Sequence, residues 1–326
     1  MTEEAVWRPS ASLEMLRARS NLLSRIREFF KQAGVLEVET PVCSRFGTTD
    51  PAIESLTSRY AGPLAPHGLE LYLQTSPEFP MKRLLAAGSG PIYQICKVFR
   101  NGELGRRHNP EFSLLEWYRP GFDHHALMAE VAALINGLLD RPLAVEKLTY
   151  REAFETRLQV DPLTASAEQL RHCAMTQEVP GADALALTRD GWLDLLLTQC
   201  IEPHLGQGVM TFLHDYPASQ AALARVRQET PPVAERFELY LAGIEIANGF
   251  HELGDAQEQQ ARFLADNQRR EAQGLATVAV DEWLIEALGQ GLPACAGVAL
   301  GIDRLLMFLT GCMDIRQVLS FDFSRA

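Results

Sequence analysis

Between residues 10 and 33 apolar residues recur at helical spacing. Leu22, Ile26, Phe29 and Phe30 fall on one face and predict a long amphipathic helix. Ser10 or Ser12 can cap its start, and Gly34 fits just past its end. The pattern then switches to alternation in VLEVETP, a strand stopped by Pro41. A short strand is expected over residues 53–60 and another over 71–75. Ser76 should cap the helix that follows, with Pro77 in its first position and Glu78 in its first turn. Residues 92–120, IYQICKVFRNGELGRRHNPEFSLLEWYRP, read as strand, irregular loop and strand. Phe112, Leu114, Glu116 and Tyr118 share one face of the second strand. Helices are predicted over 122–139, 255–273 and 281–288, and a strand over 209–213. A pair of strands should turn around residues 241–243, and GVALGIDRLLMFLTG reads as strand, tight turn and helix. The stretch 140–215 carries short helical patterns broken by Pro162, Pro180 and Pro203, with no chemistry that stands out.

Composition adds the class. At 326 residues, 47% hydrophobic and 22% charged, the chain matches a soluble globular protein with a full core. A net charge of -12 argues against bulk nucleic acid as partner. No apolar run has the length of a membrane span, and the acidic N-terminus lacks a signal-peptide core, so a cytoplasmic location is expected. The six cysteines are scattered without a CxxC pair. That favours free thiols and argues against a zinc site built on paired cysteines. With no repeat or linker, one domain over 1–326 is expected, with a helical insertion at about 150–210.

Candidate chemistry concentrates in three places. The hairpin brings Arg100, an aromatic ring, a carboxylate and a phenol to one surface. Glu238 and Glu245 stand symmetrically about the later turn and are expected to face each other. Opposed like charges are unfavourable in a sheet, a penalty that a divalent cation such as Mg²⁺ would remove. Asp303 and Arg304 lie where the final helix begins, and an arginine there can reach an anion.

The order of these three elements resembles the signature motifs of class II aminoacyl-tRNA synthetases. The text FRNGELGRRHNPEFSLLEWY, GIEIANGFHEL and GVALGIDRLL is very similar to lysyl-tRNA synthetase. The first-motif helix starts near residue 12, leaving no room before it for an anticodon-binding domain. WRPSAS, TSPEFPMKRLL and GVALGIDR resemble the elongation factor P–(R)-β-lysine ligase family.

The resemblance implies an α+β fold, an antiparallel sheet flanked by helices, and a homodimer. It implies an enzyme that activates (R)-β-lysine with ATP and Mg²⁺ as an aminoacyl-adenylate and transfers it to a lysine of elongation factor P. On that basis Arg100 and Arg304 are catalytic. Arg100, Asn101, Gly102, His108, Asn109, Phe112, Glu245, Ile246, Gly301 and Arg304 contact ATP. Glu238 and Glu245 hold the metal. Ser76, Pro77, Glu78, Glu116, Tyr118, Glu252 and Ala299 form the amino-acid side. Where the family reads Arg-Asn-Glu, this chain reads Arg100-Asn101-Gly102-Glu103, so adenine contact at Gly102 is expected through backbone, or from Glu103 in its place. Ala299 stands where lysyl-tRNA synthetases usually carry glycine, a methyl group that could reshape the pocket toward a β-amine. The rival readings are a truncated synthetase that charges tRNA, with Arg106 and Arg107 meeting an acceptor end, and a non-catalytic sensor of amino acid or nucleotide. The intact set of charged residues opposes the sensor, and tRNA is not the expected partner.

Overall fold

A computed structural model describes residues 7–326. In chain order the elements are α1 (Leu13–Gln32), β1 (Leu36–Glu37), β2 (Cys43–Ser44), β3 (Thr57–Gly62), β4 (Ala65–Leu73), α2 (Glu78–Ala86), β5 (Ile92–Phe99) and β6 (Glu111–Pro120). Next come α3 (His124–Leu138), β7 (Val145–Thr149), α4 (Tyr150–Leu158), α5 (Ala167–Thr176), α6 (Arg189–Leu196), β8 (Met210–Pro217), β9 (Val226–Arg227), β10 (Val233–Leu241) and β11 (Ile244–His251). The chain closes with α7 (Ala256–Ala272), α8 (Glu282–Gly291), β12 (Cys295–Gly301) and α9 (Ile302–Thr310). The result is a mixed fold of mainly antiparallel strands flanked by helices, as the motif order predicts.

Two compact units form. The first takes the chain through Gly121, then Gly254–Cys295 and Ala299–Ala326. The second takes Phe122–Leu253 and Ala296–Val298, so β12 contributes to both.

In the first unit, Ser12 caps α1 by accepting from the Met15 amide, and Gly34 follows in the left-handed region at φ 66°. The predicted apolar face of α1 buries Leu22, Ile26 and Phe30. Phe30 stacks on Tyr93 of β5 at 4.4 Å and meets Trp117 of β6 edge-on at 5.3 Å, which fixes α1 against the hairpin. The hairpin pairs from Ile92 opposite Tyr118 to Phe99 opposite Glu111. The alternating VLEVETP segment forms only the two-residue β1, parallel to β5. A small second sheet orders β2-β4-β3. The strand expected at 53–60 starts later, at Thr57. Pro77, not Ser76, occupies the N-cap of α2, and Ser76 lies one residue outside with its hydroxyl 3.4 Å from the Glu78 amide.

The second unit packs α4, α5 and α6 around Tyr150, Phe154, Trp192, Leu196 and Tyr216. These helices fall within the uninformative stretch of the sequence. Capping boxes start two of them, Thr149 with Glu152 and Ser166 with Gln169. β7 runs parallel to β8, and β8, β10 and β11 pair antiparallel. Among the described residues no helix is long and apolar enough to cross a membrane.

Candidate functional site

In the first unit, β5 and β6 hold their connecting loop by its ends. The Arg100 amide donates to the Pro110 carbonyl at 2.9 Å, and the Asn101 amide donates to Glu54 at 2.8 Å. Gly102 takes φ 78°, a conformation that disfavours a side chain, and the turn it makes brings Glu103 to 3.7 Å from the Arg100 guanidinium. The guanidinium carbon lies 5.1 Å from the centre of the Phe112 ring, so ring and cation stack. The Nε–H of Arg100 is buried and has no hydrogen-bond partner. A donor left in that state is costly, and an anion placed against it removes the cost.

Arg304 projects from the first turn of α9 toward the same loop. Its guanidinium donates to Nε2 of His108 at 2.8 Å and approaches the Arg107 carbonyl at 3.4 Å. Because an arginine can only donate, Nε2 of His108 accepts and the ring is neutral. Desolvation within the loop, then the charge of Arg304, holds the His108 pKa below the ordinary histidine value. Beside it a cleft of about 380 Å³ is lined by Arg106, Arg107, His108 and Met313. Three basic or donor side chains on one open cleft suit a polyanion.

The Asn109 side chain is tied down at both ends of its amide. It is 5% exposed, its amide nitrogen donates to the Glu111 carbonyl at 2.7 Å, and its oxygen accepts from the Phe323 amide at 3.1 Å. Both ends of the amide thus tie the loop to β6 and to the C-terminal segment.

Two residues that gained no role from sequence hold this arrangement. Asp303, 2% exposed, accepts from the Ser113 amide at 2.7 Å and pairs with Arg19 of α1. This carboxylate joins α1, β6 and α9, and so fixes where Arg304 starts. The Asp-Arg pair at the helix start was its only sequence signal.

On the amino-acid side, Glu116 and Tyr118 are each 2% exposed, and the Tyr118 hydroxyl donates to Oε1 of Glu116 at 2.7 Å. Tyr118 packs with Met81, Leu85, Ile92 and Cys295. A buried carboxylate beside an apolar cluster suits an ammonium on an alkyl stem. Glu78 accepts from Lys82 at 2.7 Å, and Lys82 is itself 1% exposed. A cation of the chain therefore already stands at the carboxylate expected to meet a substrate amine. Ala299 and Gly301 lie at the end of β12, half-buried.

In the second unit, the expectation that Glu238 and Glu245 face each other is overturned. Glu238 lies opposite Asn248 and Glu245 opposite Tyr240. The two-residue turn at Ala242 and Gly243, both at positive φ, sets the first pairs, and a bulge at Leu239/Tyr240 then slips the register by one. Glu238, Tyr240 and Glu245 still share one face of the pair, since residues opposite or two apart point the same way. Arg236 donates to Oε1 of Glu238 and Tyr240 to Oε2, each at 2.5 Å. The half-buried arginine and the tyrosine thus already partner this carboxylate. The remaining lone pairs of Glu238, with Glu245 on the same face, are hard oxygen donors of the kind Mg²⁺ takes. Glu252 is 6% exposed and pairs in an isolated bridge with Ala224, and Ile246 is buried in β11.

Comparison with known proteins finds a match to the family of tRNA synthetases class II (D, K and N) over residues 5–325. Elongation factor P–(R)-β-lysine ligases of Salmonella dublin, Salmonella paratyphi B and Salmonella heidelberg are each 49% identical over 326 residues, covering all of this chain and all of theirs.

Proposed function

The chain belongs to the class II tRNA synthetases of the D, K and N group and, within them, to the elongation factor P–(R)-β-lysine ligases, and from that premise we propose its reaction. It activates (R)-β-lysine with ATP and passes the aminoacyl group to the ε-amino group of a lysine on elongation factor P. In the first step the substrate carboxylate attacks the α-phosphorus, the bond to pyrophosphate breaks, and an aminoacyl-adenylate forms. In the second the lysine nitrogen attacks the adenylate carbonyl, loses a proton, and AMP leaves. Neither step needs a covalent bond to the protein, so the chain acts by positioning and charge.

The observation that carries this reading is the buried Nε–H of Arg100, unpartnered while the guanidinium is held in place by Phe112 and Glu103. It is a preset donor for the α-phosphate and the substrate carboxylate. Phe112 offers a ring for adenine, with Asn101, Gly102 and Gly301 contributing backbone. Arg304 and His108 take the outer phosphates. Asn109 acts by shaping the loop. Glu116, oriented by Tyr118, receives the distal ammonium, and Glu252 is assigned to the substrate amine. Ser76, Pro77 and Glu78 line the amino-acid end, with Lys82 moving aside or sharing Glu78. Glu238 and Glu245 would hold Mg²⁺, with Ile246 beside them. When bound, the metal neutralises phosphate charge.

The reading treats residues 1–326 as one catalytic domain with 150–210 inserted into it, and one continuous family match supports that. It also takes the enzyme to be a cytoplasmic homodimer, where translation factors reside. ATP–pyrophosphate exchange with each lysine isomer tests the first step. Exchange dependent on (R)-β-lysine and abolished by Arg100→Ala supports it, and no exchange with any isomer overturns it.

A further inference from the structure

A second group of titratable side chains lies in the second unit, on residues that the ligase reaction does not use. α3 opens with His124 and His125, held there by the Asp123 cap, whose carboxylate accepts from the Ala126 amide at 2.8 Å. β8 contributes His214. The three imidazoles each offer a nitrogen, and these nitrogens lie within 4.8 Å of one another. The rings of His124 and His125 are 4.1 Å apart, and His125 meets His214 at 5.4 Å and 80°. His124 is 2% exposed and His214 8%. Nδ1 of His124 is buried with no hydrogen-bond partner, while its Nε2 and Nδ1 of His214 are turned toward the Asp215 carboxylate. A buried nitrogen in that state is costly unless something binds it.

Asp215 supplies the next layer. Its carboxylate is 3.5 Å from Nε2 of His124 and 3.3 Å from Nδ1 of His214, and Arg227 holds its outer oxygen at 3.0 Å. Asp215 is at φ 59°, where β8 and β10 lose register between Ala234 and Phe237. A bulge of this kind re-aims a side chain away from the ladder. A carboxylate behind ligating imidazoles is the usual support of a histidine metal site. Nearby, His251 and Glu235 also approach His124, but they already bond each other at 2.6 Å, and Arg227 stands 3.6 Å from that glutamate. The three histidines are therefore the group with capacity to spare.

We propose that His124, His125 and His214 form a binding site for a borderline transition-metal ion of the Zn²⁺ class, with Asp215 orienting two of the rings. Imidazole donors select such ions over Mg²⁺, which prefers oxygen. The site joins the start of α3 to β8, and His125, at the surface, gives the ion a route in. A spacing of about 90 residues between the histidines hid it from any motif search, and the cysteine spacing was silent about it.

The test uses the full chain stripped with a chelator and titrated with Zn²⁺, then with Co²⁺ as a spectroscopic probe. The expected result is one equivalent bound, a visible Co²⁺ band, and no displacement by millimolar Mg²⁺. Asp215→Asn should weaken binding roughly 10-fold or more, and His125→Ala at least as much. Zn²⁺ should also protect His125 of the unaltered chain from diethyl pyrocarbonate, a readout independent of how the variants fold. Stoichiometric binding kept in His125→Ala but lost in His251→Ala would overturn the assignment. So would the absence of any equivalent bound, or His125 modified equally fast with and without Zn²⁺.

Discussion

The Tyr118 hydroxyl donates to Oε1 of Glu116 at 2.7 Å, with both side chains sealed from solvent in one strand of the hairpin. The bond fixes the carboxylate in one rotamer. Tyr118→Phe removes the orienting donor and little volume. A bond to a charged partner is worth about 1.5 kcal/mol or more, so KM for the amino acid should rise roughly tenfold with a smaller change in kcat. Steady-state pyrophosphate exchange measures this, and an unchanged KM would remove Glu116 from the ammonium site.

Arg100 is expected to tolerate loss badly in activity and well in stability. Lysine keeps the charge but lacks the planar fork that bridges two oxyanions. Arg100→Lys should slow adenylate formation by roughly 100-fold or more, as removal of an oxyanion donor does. Because Nε makes no internal hydrogen bond, the urea midpoint should barely move. A large loss of stability with activity retained per folded molecule would assign Arg100 a structural role.

Ala299 is half-buried at the end of β12. Its methyl group separates this chain from the glycine usual in lysyl-tRNA synthetases, and Ala299→Gly should raise α-lysine activation relative to (R)-β-lysine. The ratio of kcat/KM for the two isomers is the measurement. An unchanged ratio would place the discrimination elsewhere.

Asp281 gives a pH dependence that can be signed. It caps α8, accepting from the Leu284 amide at 3.0 Å, and is 4% exposed. Burial raises its pKa above 3.8 despite that bond. The folded state therefore holds this proton more tightly than the unfolded state. The contribution to stability is full below pH 3.8 and is lost as pH rises through the folded-state pKa. Asparagine keeps the cap without the charge. Asp281→Asn should melt higher than the unaltered chain at pH 7 to 8, and the gap should close toward pH 4. A gap that widens on acidification would contradict the assignment.

The long elements were legible because each has one dominant period. The face of α1 from Leu22 to Phe30 and the existence of β6 needed only spacing to predict, although β6 is buried on both faces from Ser113 to Tyr118 rather than alternating. Arg100, Phe112 and Arg304 stood out as candidates because they lie in motifs that resemble those of class II synthetases. The pairing of Glu238 was not legible, because a one-residue bulge leaves no mark in an alternating pattern. Nor was the partnership of Arg236 with Glu238, which reads as an ordinary charged strand residue until burial is known. Asn109 sat in a recognisable motif, yet its amide serves the loop and the C-terminal segment, a tie across 214 positions that only the fold creates. Asp303 likewise needed Arg19 and Ser113, distant in sequence, to show what it holds.

The central claim is that the activated amino acid is delivered to a protein. The direct measurement incubates the chain with ATP, Mg²⁺ and radiolabelled (R)-β-lysine, offering elongation factor P and tRNA together, and follows the label by mass. The account predicts label on one lysine of elongation factor P, dependent on ATP and absent with Arg100→Ala. Label on tRNA with none on the protein would contradict it.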